Sequence, residues 1–282
     1  MSDTRLYDVP GVKTRRRIWI VGTIGALLLL ALAAAVIQRL AEQGQFELDL
    51  WLPFVVNTDL QLGLLTALGG TLQAMAYALG LALILGTLLA CARLSKHAVL
   101  RVPAVSFVVF FRGPPLLLLI FFFYLGFPLA FGIEISALWA LVLGLVLYNG
   151  AVICEIIRAG VLSLPRGQRE AAYGLGLSNS QTLRYVLLPQ AFRSMLPAII
   201  SQVVVLVKDT SLGFIVSYGE LLRYGNIAIQ TLDNPIQMYA VVAAIYIVLN
   251  SSLSALAHSI ERRQSTTTKR QADARPLAME GS

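Results

Sequence analysis

Apolar residues along this chain fall into six blocks separated by polar segments. They cover 18–37, 66–90 with an amphipathic lead-in from Leu60, 102–131 with an interruption at Gly113-Pro114-Pro115, 137–157, 194–216 and 238–260. Each is long enough to cross a hydrocarbon layer of about 30 Å as a helix. Lipid offers no partner for free backbone amides, so a helix is the default for every block. A barrel would need segments of about ten residues with alternating polarity, and none occurs. The pattern predicts an all-α polytopic membrane protein.

Composition supports that reading. The 282 residues are 57% hydrophobic and 13% charged, about half the charge of an ordinary soluble domain. Water-soluble folds, disulfide-rich secreted modules and disordered chains are excluded. Cys91 and Cys154 lie in apolar surroundings and suggest neither a disulfide framework nor a metal site. The net charge of +7 resembles a nucleic-acid footprint until the basic residues are mapped. With a cytoplasmic N-terminus, 18 of the 22 Lys and Arg fall on inside segments. Only Arg39 and Arg223 fall outside, while Arg112 and Lys208 lie at membrane depth. Seven acids, Glu220 among them, fall on the outer loops. Basic residues concentrate on the cytoplasmic side of membrane proteins, so the charge expresses topology, with both termini cytoplasmic and no nucleic-acid partner. At the start, Arg15-Arg16-Arg17, an apolar stretch and Ala33-Ala34-Ala35 also fit a signal peptide with a small-residue cleavage site. The length of the apolar run favours a retained span.

The predicted organisation is a cytoplasmic tail (1–17), an N-terminal transmembrane helix (18–37), an extracytoplasmic loop (38–61), a core of five spans (62–260) and a cytoplasmic tail of little order (261–282). Inside loops are short except between the fourth and fifth spans, where about 158–193 is polar enough to stay outside the membrane. A loop that long has structure or a partner of its own. Pro165-Arg166-Gly167 reads as a turn, 168–175 as a short helix with Glu170 near its start, and Gly176 as its stop. Ser178 caps a second helix that is expected to end before Pro189. This helix, turn and helix form a knob that another protein could grip.

Glu170-Ala171-Ala172, then Gly176, then Val186 and Leu188-Pro189 stand at the spacing of a known motif. It closely resembles the EAA loop of the membrane permease subunits of ABC importers. Phe111 to Leu116, Glu155 to Gly160, Leu188 to Arg193 and Lys208 to Leu212 resemble the polar amino-acid branch of that family. Pro114 stands where branch members usually have Thr. Asn149-Gly150 and Cys154 stand where alanines are more typical. An extra N-terminal span before a five-helix core is similar to the permeases of glutamate uptake systems. The resemblance implies a five-helix ABC importer permease core plus an extra transmembrane helix in a bacterial cytoplasmic membrane. It also implies that the loop, through Glu170, Ala171, Ala172, Gly176, Leu188 and Pro189, couples to an ATP-binding subunit. Further implied partners are a second permease chain, identical or homologous, an extracytoplasmic amino-acid-binding protein, and the lipid bilayer. ATP and Mg²⁺ would sit on the partner ATPase, leaving this chain without a cofactor.

The residues themselves agree. No Walker A loop occurs, so the chain cannot bind ATP by that device. No nucleophile–base arrangement is evident, and His97 and His258 read as interfacial structure. Charges at membrane depth mark functional sites by default, which singles out Arg112, Glu155, Lys208 and Asp209. An amino acid carries both an ammonium and a carboxylate, so Glu155 could meet the first and Lys208 or Arg112 the second. The competing account is internal pairing, Glu155 with Arg158 and Lys208 with Asp209, that locks helix packing. A second functional class, an amino-acid carrier driven by an ion gradient, would favour broken helices at corresponding positions of a repeat. Gly113-Pro114-Pro115 has no such counterpart.

Overall fold

The computed structural model describes residues 11–273 and is helical throughout, with no strand among the described residues. The chain divides into two units, 1–57 and 58–282. Residues 1–10 of the first tail and 274–282 of the second lie outside the described residues.

The first unit contains α1 (Val12–Glu42) and two single-turn helices, α2 (Leu48–Trp51) and α3 (Pro53–Val56). Helix α1 begins before the first apolar block and outlasts it by more than a turn. Its C-terminal end carries Gln38 and Arg39 against Glu42 at helical spacing, and Gly44 turns the chain at φ +71°.

The second unit begins with α4 (Thr58–Arg93), which packs along α8 (Ala137–Ser163). The cause is a row of small side chains on α4. Ala74, Ala78, Ala82, Gly86 and Ala90 recur every four residues and are all buried. In lipid there is little hydrophobic gain from bringing apolar helices together, so close backbone approach through small residues drives association. A Cβ on Gly86 would lie 2.9 Å from the Gly150 carbonyl oxygen and 2.7 Å from Ile153, while one on Gly150 would strike Leu85. The unusual Asn149, buried beside Gly150, engages another helix. Its amide donates to the Leu145 carbonyl and its oxygen accepts from Gln202 Nε2 at 2.7 Å, tying α8 to the helix that carries Gln202.

The third block departs from expectation. Instead of one interrupted span it forms α5 (Ala98–Arg112) and, after Gly113-Pro114-Pro115, α6 (Leu116–Phe121), a π turn and α7 (Phe127–Phe131), with a bend of 100°. Pro115 holds extended backbone at φ −57°, ψ 135°, since its ring fixes φ and its nitrogen has no hydrogen to continue the ladder. Five helices are long and apolar enough to cross a membrane, and the bent pair makes a sixth passage if its halves are counted together.

After α8 come α9 (Arg166–Gly174) and α10 (Asn179–Gln181). A π turn (Thr182–Leu187) then leads straight into α11 (Leu188–Asp209), which tightens to a 3₁₀ turn over Thr210–Val216. The second helix of the knob therefore passes through Pro189. The π turn widens the ladder to i→i+5, with Leu188 N–H on the Leu183 carbonyl, and this relieves the clash of the proline ring with the preceding turn. The same device precedes Pro128, where Phe127 N–H reaches the Phe122 carbonyl.

An amphipathic helix absent from the sequence expectation, α12 (Leu221–Leu232), joins the fifth and sixth spans. Helix α13 (Pro235–Asp273) runs well past residue 260, so the first part of the segment expected to lack order is helical.

Candidate functional site

The knob at 158–193 is built as the sequence indicates, apart from its exit. Helix α9 ends in two bonds, Gly176 N–H to the Tyr173 carbonyl and Leu177 N–H to the Ala172 carbonyl. With Gly176 at φ +78° this is a Schellman stop, in which glycine takes the left-handed conformation without a Cβ penalty. Ser178 and Gln181 form a reciprocal capping box at the start of α10. Gln190 Nε2 bridges Gln168 Oε1 (3.1 Å) and the Val186 carbonyl, and Tyr173 donates to Asn179 Oδ1. Glu170 and Ala171 face solvent, Ala172 is buried, Leu188 is half-buried and Pro189 is exposed. The knob thus presents a small-residue, acid-tipped surface on a braced base.

Glu155 takes a different position from that of a free counter-ion. Three guanidinium groups converge on its carboxylate: Arg93 at the end of α4, Arg112 at the end of α5 (3.6 Å) and Arg158 one turn along α8 (2.8 Å). Arg93 and Arg112 share Oε1 while Arg158 takes Oε2. The Arg93 side chain is only 13% exposed and that of Glu155 24%. The structure therefore brings Arg112 and Glu155 together as a fastening of three helices. The expected Glu155–Arg158 pair is present within a larger cluster.

Lys208 and Asp209 lie apart from that cluster and no ion pair joins them. Lys208 is exposed on an open groove of about 620 Å³ between α11, α12 and α13, and Asp209 is half-buried beyond the lining. The wall facing Lys208 carries the hydroxyls of Tyr239, Tyr246 and Ser251 and the amide of Asn250. Asn250 Nδ2 donates to the Tyr246 carbonyl at 2.7 Å, while its Oδ1 is buried without a hydrogen-bond partner among the described residues. No carboxylate lines this groove among the described residues.

Sequence reasoning missed Glu220, which it placed on an outer loop. The side chain is fully buried. It caps α12, accepting from Leu222 N–H (2.8 Å) and Arg223 N–H (2.6 Å), and it accepts from Tyr246 Oη of α13 (2.9 Å). Thr71 of α4 accepts from Leu221 N–H, and Tyr218 Oη donates to the Gly70 carbonyl. Burial raises the Glu220 carboxyl above the usual glutamate range, against the pull of its three donors. This latch ties α12 to α13 through Leu222 and Tyr246, both of which line the groove. A polar residue just ahead of the apolar, helical-period run of α12 was the signal available for it.

Residues 58–266 match the family described as binding-protein-dependent transport system inner membrane component. The glutamate transport system permease protein GluD of Corynebacterium glutamicum is 42% identical over 226 residues, covering 79% of this chain and 83% of that protein. The glutamine transport system permease protein GlnP of Escherichia coli is 36% identical over 188 residues, covering 66% of this chain and 86% of that protein. Among solved structures, an amino acid ABC transporter crystallised with histidines superposes with a TM-score of 0.69 at 30% identity, over 74% of this chain and 98% of that one.

Proposed function

The chain belongs to the binding-protein-dependent inner membrane components, the permease subunits of amino-acid ABC importers, and on that footing we propose that it passes an acidic amino acid, glutamate, along the groove beside Lys208. Members of this family work with an ATPase subunit and a binding protein, and nothing in the matches supports a carrier driven by an ion gradient. The observation that carries the substrate is the groove. Lys208 offers a cation for a carboxylate, Tyr239, Tyr246 and Ser251 line the groove with hydroxyl-bearing side chains, and among the described residues no acid in the lining repels an anionic side chain. The likeness to a glutamate permease points the same way.

In this reading the ATPase subunit grips α9 through Glu170, Ala171 and Ala172. Gly176, Leu188 and Pro189 shape the exit from that contact. ATP and Mg²⁺ are held by the partner, and this chain needs no cofactor. A second permease chain, identical or homologous, covers the groove, and an extracytoplasmic binding protein delivers substrate on the side opposite the knob. Both termini are cytoplasmic, in keeping with the basic segments at that face.

Uptake of labelled glutamate, aspartate, glutamine and arginine, with and without this chain, tests the proposal. ATP depletion is expected to stop acidic amino-acid uptake, and an uncoupler applied with ATP maintained is expected to leave it. Uptake confined to glutamine or arginine would overturn the substrate. Collapse with the proton gradient while ATP is maintained would overturn the energy source. Lys208→Met is expected to lower glutamate uptake at least about tenfold, equivalent to ~1.4 kcal/mol of lost binding, with the ATPase subunit still bound. Unchanged uptake in that variant would remove Lys208 from the path.

A further inference from the structure

A second pocket, of about 350 Å³, opens where α4 ends, α5 begins and α8 ends, beside the base of the knob. Five cations line it: Arg93, Lys96, Arg101, Arg158 and Arg169. Two of them, Arg93 and Arg158, are partly neutralised by Glu155. Among the described residues no carboxylate lies within ion-pair distance of Lys96, Arg101 or Arg169, and no acid lines the pocket. Lys96 is held over the Tyr173 ring at 5.4 Å, and Tyr173 is in turn fixed by its bond to Asn179. One of the five cations is thus steadied at the rim rather than left to drift in solvent.

Concentrated positive charge at the polar ends of membrane helices, at headgroup depth, attracts phosphate. The rest of the lining says which phosphate. Four leucines complete the wall, among them Leu162, exposed on the last turn of α8. An inorganic anion gains nothing from such a wall, whereas an acyl chain does. We infer that this pocket binds an anionic phospholipid, with the headgroup phosphate among Lys96, Arg101 and Arg169 and the proximal acyl carbons along the leucines. The inference is independent of which amino acid is transported. Since Arg169 and Tyr173 lie on α9 and Arg93 on α4, the lipid would brace the knob against the membrane core.

Native mass spectrometry of the assembled transporter tests this, with phosphatidylglycerol, phosphatidylcholine or inorganic phosphate added in turn. One phosphatidylglycerol per permease chain is expected to survive where phosphatidylcholine is lost, and retention is expected to weaken as salt rises. Replacing the exposed pair, Lys96→Gln with Arg101→Gln, is expected to lower phosphatidylglycerol affinity at least about tenfold, about 1.4 kcal/mol, at an unchanged melting temperature. Should the pair impair assembly, Arg101→Gln alone carries the comparison. Equal retention of the two lipids, or unaltered binding in the glutamine variants, would overturn the inference. Displacement by millimolar inorganic phosphate, with no effect of Leu162→Ser, would reassign the pocket to a soluble phosphate.

Discussion

Replacing Glu155 with alanine is expected to destabilise the protein by about 2–3 kcal/mol, between the ~1 kcal/mol of an exposed pair and the roughly 3–5 kcal/mol of breaking a buried one, because the cluster is part-buried. The residue left behind is Arg93, whose side chain is 13% exposed, with Arg112 and Arg158 still nearby. Three cations without their shared anion would push apart the ends of α4, α5 and α8. Melting of the purified protein measures the loss. The informative companion is the double change Glu155→Leu with Arg93→Met, because swapping both charges for apolar groups of similar volume is often neutral. If Glu155 fastens helices, the pair of changes recovers most of the stability and transport returns with it. A double variant that melts like the parent but does not import would instead put Glu155 in contact with substrate.

Glu220→Ala is expected to cost about 3 kcal/mol and to loosen α12 from α13. It removes a helix cap, worth about 1 kcal/mol, and leaves Leu222 N–H, Arg223 N–H and Tyr246 Oη with no acceptor, at about 1–3 kcal/mol for a buried orphaned donor. Glu220→Gln keeps a carbonyl acceptor and is expected to lose about 1 kcal/mol. Hydrogen exchange distinguishes the two: α12 amides are expected to exchange at least about tenfold faster in the alanine variant and little faster in the glutamine one. Equal protection in the parent and the alanine variant would show that the latch carries no weight.

What could be read in advance divides along physical lines. The spans were legible because lipid permits no other form for 20 apolar residues, and the knob was legible because its turn, cap and glycine stop are local chemistry. The Arg93–Glu155 contact spans 62 residues of sequence, and no local pattern signals it. The passage through Pro189 was misread because proline in isolation ends a helix, whereas here the turn before it is wound wider. The break in the third block was legible in Gly113-Pro114-Pro115, whereas its 100° bend was not, because hydropathy is blind to direction. Glu220 was assigned to solvent on charge alone. The amphipathic period of Leu221, Gly225 and Leu232 would have identified the helix that it caps.

The unbroken run from Asn179 to Asp209 has a mechanical consequence. It joins the knob to Lys208 as one rod about 45 Å long at 1.5 Å per residue. Pivoting at the widened turn ahead of Pro189 leaves an arm of about 30 Å to Lys208, so a tilt of 5° sweeps the ammonium through roughly 2.6 Å. That travel is close to the difference between making a hydrogen bond and losing it. The protein therefore has the geometry of a lever, in which a small rotation at the knob becomes grip or release at Lys208, with Pro197 the point inside the arm where the stroke can be absorbed.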